Sequence, residues 1–175
     1  MTGKSPAAEL RRRAESMMRQ ERWLDASKLL KSRSSLVHKN WELSWNLGWC
    51  YFKLARFNEA ARHLRRATKL ATENAACKWA LGSVYLKREQ YKKAEAILLE
   101  SLRIKDTHST RIALALAYLA QGKIIEAETI HLQGIRLKPK KSERYESYAA
   151  FLFDVGRDDD ALQMQRRAEK LRRVN

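Results

Sequence analysis

Two stretches decide the fold: "WNLGWCYFKLARFNEAARHLRRATKL", residues 45–70, and "WALGSVYLKREQYKKAEAILLESLRI", residues 79–104. Each opens on Trp-x-Leu-Gly-x-x-Tyr, continues to an aromatic residue and reaches an alanine three places on, and the second starts 34 residues after the first. Further copies begin at Ile112 ("IALALAYLAQGKIIEAETIHLQGIRLKP") and Glu146 ("ESYAAFLFDVGRDDDALQMQRRAEKL"), with a looser one at Arg11 ("RRRAESMMRQERWLDASKLLKSRSSL"). Aligned on the small residue of the first segment, the marks are Ala14, Gly48, Gly82, Ala115 and Ala149, spaced 34, 34, 33 and 34. Ala26, Ala60, Ala94, Ala127 and Ala161 keep the same rhythm. Two series in register over five copies make an internal repeat.

The composition says what each copy contains. With 2 prolines and 6 glycines in 175 residues, and Ala, Leu, Lys, Arg and Glu dominant, the chain favours helices joined by short connections. The predicted fold class is therefore all-α. The quoted motifs resemble the tetratricopeptide repeat, whose pattern runs Trp-x-x-Leu-Gly-x-x-Tyr, then Ala, Phe, Ala and Pro. Leu47, Gly48 and Tyr51 match in one copy, Leu81, Gly82 and Tyr85 in the next, and Leu114, Ala115, Tyr118, Gly122, Ala127 and Pro139 in the one after. The resemblance covers roughly residues 7–173 and implies a right-handed α-solenoid of about five helical hairpins. On this reading residues 1–6 are an N-terminal extension, and the repeats are about 7–40, 41–74, 75–107, 108–141 and 142–175. Each hairpin leaves an apolar face that only its neighbours can cover. The end copies depart from the pattern as outer units should: Arg13 replaces a leucine, while Asp158 and Gln165 stand where apolar residues are expected. "DDD" at 158–160 reads as a helix start, where acid suits the helix dipole.

The net charge is +16, distributed over the five repeat segments as +6, +3, +3, +4 and 0. A basic field spread so widely favours acidic partners, nucleic acid or anionic surfaces, without bearing on fold. The start, "MTGKSPAAELRRRAES", has no apolar core of a signal peptide, and no run of 18 apolar residues suggests a membrane span. A cytoplasmic location is expected, with Cys50 and Cys77 as reduced thiols buried at helix interfaces.

Trp41, Trp45 and Trp49 recur every four residues and so share one helical stripe. Trp41, near the helix start, is expected to pack between repeats. In repeats of this kind the first helices line a concave groove, and the resemblance places Trp45, Trp49 and Phe52 in it, with Trp79 beside Trp45 from the next repeat. The band continues through Ser83 and Leu86, then Ile112, Leu116 and Leu119, with Lys53 and Lys87 at its edge. A contiguous apolar patch rimmed by lysines suits a peptide or amphipathic helix with acidic flanks. The expected function is a noncatalytic interaction module, adaptor, scaffold or chaperone-like. Some family members instead clamp a C-terminal carboxylate with Lys, Asn and Arg side chains. Arg11 and Asn46 would fit that set, but Glu15, Ala76 and Ala80 occupy the other places, so the clamp is excluded.

Catalytic signals are absent. The four histidines (His38, His63, His108 and His131) are scattered, and neither a metal-binding spacing nor a phosphate loop is visible, so no enzyme activity, metal or cofactor is expected. The basic runs give the alternative function, nucleic-acid binding. Arg62, Arg65 and Arg66, Lys92 and Lys93, and Lys138, Lys140 and Lys141 fall on second helices or connections, on the convex side. A dedicated RNA reader interleaves base-stacking aromatics with its basic residues. Here the two segregate, which favours a protein partner. Self-pairing through the apolar groove or an open end is a third expectation.

Overall fold

The computed structural model describes residues 5–174, and every regular element among them is an α-helix. Of the expected N-terminal extension, residues 1–4 lie outside the described residues, as does Asn175. The helices pair as hairpins: α1 (Pro6–Arg19) with α2 (Trp23–Lys31), α4 (Trp41–Lys53) with α5 (Phe57–Leu70), and α6 (Ala75–Lys87) with α7 (Tyr91–Ile104). Then come α8 (His108–Leu119) with α9 (Ile124–Leu137), and α10 (Ser142–Asp154) with α11 (Asp158–Val174). One helix was not expected from the sequence: α3 (Ser34–Lys39), a short turn of helix packed on α4 in the connection before it. The chain divides into two compact units, Met1–Ile104 and Lys105–Asn175.

Local chemistry sets the helix ends at the same 33- to 34-residue rhythm. Asn40 accepts a hydrogen bond from the Leu43 N–H (3.0 Å), Asn74 from Cys77 N–H (3.1 Å) and Thr107 from Thr110 N–H (3.1 Å), so α4, α6 and α8 each begin on a side-chain cap. Between the two helices of each hairpin one residue turns left-handed: Glu21, Ala55, Glu89, Gly122 and Gly156, with φ between 55° and 75°. α11 begins at Asp158, the acid-rich start read from "DDD".

The small-residue series marks where paired helices touch. A Cβ built on Gly48 would lie 2.7 Å from Leu64 Cγ, and one on Gly82 would lie 2.5 Å from Leu98 Cγ. Both leucines are completely buried, so a larger residue at either glycine would force the hairpin apart. Leu47, Tyr51, Leu81, Leu114 and Ala115 are buried, as the repeat pattern requires, while Tyr85 and Tyr118 are only partly so. Cys50 and Cys77 are buried free thiols; burial pushes them up to about 12 and about 11, which keeps them protonated and unreactive.

Among the described residues no helix is long and apolar enough to cross a membrane, and no group of three His, Cys, Asp or Glu side chains is placed to hold a metal.

Candidate partner-binding surface

In the first unit, helical spacing on α4 and the 34-residue repeat converge on one aromatic group. Trp45 stacks on Trp49 (5.5 Å between centroids, 8° between planes), and Trp49 stacks on Phe52 (4.9 Å). Trp79, on α6, meets Trp49 at 5.4 Å with a 36° tilt, and Phe57 of α5 extends the group from Phe52 at 5.9 Å. Trp49 is thus the hub, touching three rings at separations where offset aromatic pairs attract. All five rings are half-buried, packed on the core with part of each face open. The sequence pairing of Trp79 with Trp45 is displaced by one turn, because Trp49 lies between the two helices and receives Trp79. Trp41 is also half-buried.

The other residues expected beside these rings are used differently. Ser83 donates its hydroxyl to the Trp79 carbonyl (3.0 Å), one turn back in α6, and Leu86 is half-buried. Lys87 is exposed. Lys53 is exposed as a residue, but its ammonium sits over the Trp23 ring, 5.3 Å from the centroid, a cation–π contact that the sequence did not signal. The excluded carboxylate clamp is further weakened by geometry, since Asn46 is 3% exposed and Arg11 is ion-paired with Glu42.

Ile112, Leu116 and Leu119 lie in the second unit. They form one wall of a cavity of about 220 Å³ whose other wall is Ala150 and Phe151 of α10, with His131 behind and Asp154 at the rim. Leu116 is 47% exposed. His131 lies against Phe151 (5.2 Å) and Tyr148 (5.9 Å), and burial first, then the nearby His108, lowers its pKa to about 4. It is therefore a neutral packing group at pH 7, occupying the register that Leu98 holds 33 residues earlier. The expected band of groove residues thus falls into two groups, one in each unit.

The basic residues are on second helices and connections, as expected. Arg62, Arg65 and Arg66 are on α5, Lys92 and Lys93 stand exposed on α7, and Lys138, Lys140 and Lys141 are exposed between α9 and α10. Sequence reasoning missed two features. Ile125 (79% exposed) and Leu132 (43%) lie seven residues apart on α9, a spacing visible in the sequence but overlooked because they were assigned to a second helix. Arg111 and Arg144 are almost fully buried around Gly134, whose missing Cβ leaves room for them. Arg111 donates to both Asp106 oxygens (2.8 and 2.6 Å) and to the Ile130 carbonyl (3.2 Å).

Residues 55–117 match the family model of the tetratricopeptide repeat. Solved structures of MamA resemble the fold over nearly its whole length. One is 20% identical, covers 92% of this chain and 95% of its own, and superposes with a TM-score of 0.76. MamA 41-end from Desulfovibrio magneticus RS-1 is 18% identical over 98% of both chains, with a TM-score of 0.79. A third, MamA AMB-1, is 21% identical over 95% of this chain and 99% of that one, at 0.74. At such identities the likeness is one of fold. No curated protein matches the sequence. The repeat read from the sequence, the paired helices, the tetratricopeptide-repeat match over residues 55–117 and the likeness to the MamA structures agree on one fold, an all-α solenoid of tetratricopeptide-like hairpins.

Proposed function

We propose that the chain is an adaptor, scaffold or chaperone-like module whose first unit holds a peptide or helix of a partner protein against Trp45, Trp49, Phe52 and Trp79. The observation that carries this reading is the stacked, half-exposed aromatic group on α4 and α6. Indole rings offer large apolar area at low entropic cost, and such residues dominate the energetics of protein interfaces. Lys87 and the basic character of the chain favour acidic residues flanking the bound segment. In the second unit the cavity beneath Ile112, Leu116 and Leu119 is suited to one apolar side chain. The division into repeats at 7–40, 41–74, 75–107, 108–141 and 142–175 belongs to the same proposal.

Selection of displayed peptides against the whole chain tests it. Apolar sequences with acidic flanks should be enriched by the native chain and lost by Trp45→Ala/Trp79→Ala, with unchanged helical circular dichroism. A folded double variant that retains the same peptides would overturn the reading. The rival function, nucleic-acid binding on the basic surface, draws on Arg62, Arg65 and Arg66 clustering on one helix. It requires affinity for RNA or DNA that falls steeply with salt and does not depend on the tryptophans.

A further inference from the structure

The first unit contains a second feature, independent of the aromatic group: a cationic recess between α3 and α5. Its inner part is a cavity of about 280 Å³. Val37, Leu47 and Tyr51 form the floor, and Lys31, His38, Arg62 and Arg66 are among its walls. An adjoining recess of about 390 Å³ shares His38, Arg62 and Arg66 and adds Arg65 and Lys69. No carboxylate lines either part. Five fixed positive charges, Lys31, Arg62, Arg65, Arg66 and Lys69, therefore converge on a concave surface with a histidine at its centre.

Two observations distinguish this recess from an ordinary basic surface. First, the recess gathers its cations on a concave surface with no carboxylate in the lining, whereas several arginines elsewhere pair locally: Arg12 with Glu9, Arg22 with Asp25, Arg56 with Glu59, and Arg157 with Asp160 and Glu128. None of the five recess cations has a carboxylate partner among the described residues, and Glu59, the acid closest in sequence, is already bonded to Arg56. Second, His63, 7% exposed and stacked on Tyr51 at 5.5 Å, lines the inner cavity with a buried Nδ1 that has no hydrogen-bond partner. A buried polar atom without a partner is uncommon in folded proteins, and this one leaves a hydrogen-bonding position open in a residue that lines the cavity.

We propose that this recess is a binding site for a multiply charged phosphoryl anion, its oxygens held by the Arg62 and Arg66 guanidiniums with Lys31 and His38 closing the inner side. Guanidinium forks match phosphate oxygens in pairs, and such charge-assisted bonds are about twice as strong as neutral ones. Two adjoining recesses sharing the same arginines suit linked phosphoryl groups better than a single one. The extra helix α3 has a clear consequence here, because without it His38 would not face α5.

Inorganic pyrophosphate is the probe, titrated calorimetrically into the whole chain at constant ionic strength with chloride as the balancing anion. Saturable one-site binding is expected. Arg62→Gln/Arg66→Gln should weaken it by about tenfold or more, and Lys92→Gln/Lys93→Gln, which removes equal charge from an exposed stretch of α7, should leave it within about twofold. All four side chains are exposed or half-exposed, so both variants should keep native circular dichroism. A shift of the His63 ring resonances on adding pyrophosphate, absent in the arginine variant, would locate the anion independently of affinity. No saturable binding, or equal weakening by both variants, would overturn the proposal. So would binding of a single-stranded oligonucleotide without binding of pyrophosphate, since that pattern belongs to a diffuse basic field. If both bind and both need Arg62 and Arg66, the site stands and the phosphoryl groups are supplied by a nucleic-acid backbone; if only pyrophosphate binds, they come from a small molecule.

Discussion

At the scale of single residues, the tightest constraint is Gly82. A methyl group there would meet Leu98 Cγ at 2.5 Å and Cδ2 at 2.6 Å, so Gly82→Ala must push the leucine off its rotamer or separate α6 from α7. Overpacking of this kind costs about 1–3 kcal/mol, offset by about 1 kcal/mol of improved helix propensity. A net loss of up to about 2 kcal/mol is expected in urea unfolding. Combined with Leu98→Ala, which opens the space, Gly82→Ala should turn from destabilising to neutral or stabilising, and strict additivity of the two changes would contradict the contact. His63 and His131 make a second prediction. Burial lowers both to about 4, below the ordinary histidine value, so the unfolded chain binds more protons between those limits. Their contribution is complete above about pH 6.5 and is lost as pH falls through 4, up to about 3 kcal/mol for each. His131→Leu, the residue type at that register in earlier repeats, should flatten the acid side of the stability profile. An unchanged profile would show that His131 is not buried neutral.

Secondary-structure elements owe their ends to a few positions that repeat as faithfully as the core. The left-handed turn between paired helices falls on Glu21, Ala55, Glu89, Gly122 and Gly156 in succession, and only the last two are glycines. A side chain in that conformation costs about 1–2 kcal/mol, partly returned in unfolded-state entropy when glycine replaces it. Ala55→Gly should therefore raise the thermal midpoint modestly, equivalent to about 0.5–1 kcal/mol. Glu89→Gly should act likewise, and a lowered midpoint in both would show the turn to be different. At the other end of the hairpin, Asn74→Ala removes the cap on Cys77 N–H and should cost about 1 kcal/mol, with hydrogen exchange accelerated in the first turn of α6. These positions were in the sequence at their repeat spacing, yet the small-residue and aromatic marks drew attention first, because packing constrains residue type more sharply than a turn does.

For the whole molecule, the charge of +16 survives local pairing. Acids such as Glu9, Asp25, Glu59, Asp106 and Glu128 are each engaged by an arginine, so the excess is left as unneutralised cations on second helices and connections. Self-repulsion of that size opposes compaction and is screened by salt. The thermal midpoint should rise between low and moderate sodium chloride, and rise further with phosphate at equal ionic strength if the α3–α5 recess is occupied. A midpoint that falls over the same range would mean the ion pairs outweigh the repulsion.

The sequence by itself determined the all-helical hairpins and their period, because close helix approach admits only Gly or Ala and a series such as Gly48, Gly82 and Ala115 is visible without coordinates. It also located Trp45, Trp49 and Phe52 on one stripe, since helical spacing is a local property. Tertiary structure decided which rings touch: Trp79 meets Trp49 and not Trp45, and Lys53 lies over Trp23, contacts set by how neighbouring helices cross. It also decided that Lys31 and His38 join Arg62 and Arg66 around one recess. Those residues lie on different helices, and no periodicity in the chain encodes the position of α3, a single turn of helix that the repeat pattern does not contain.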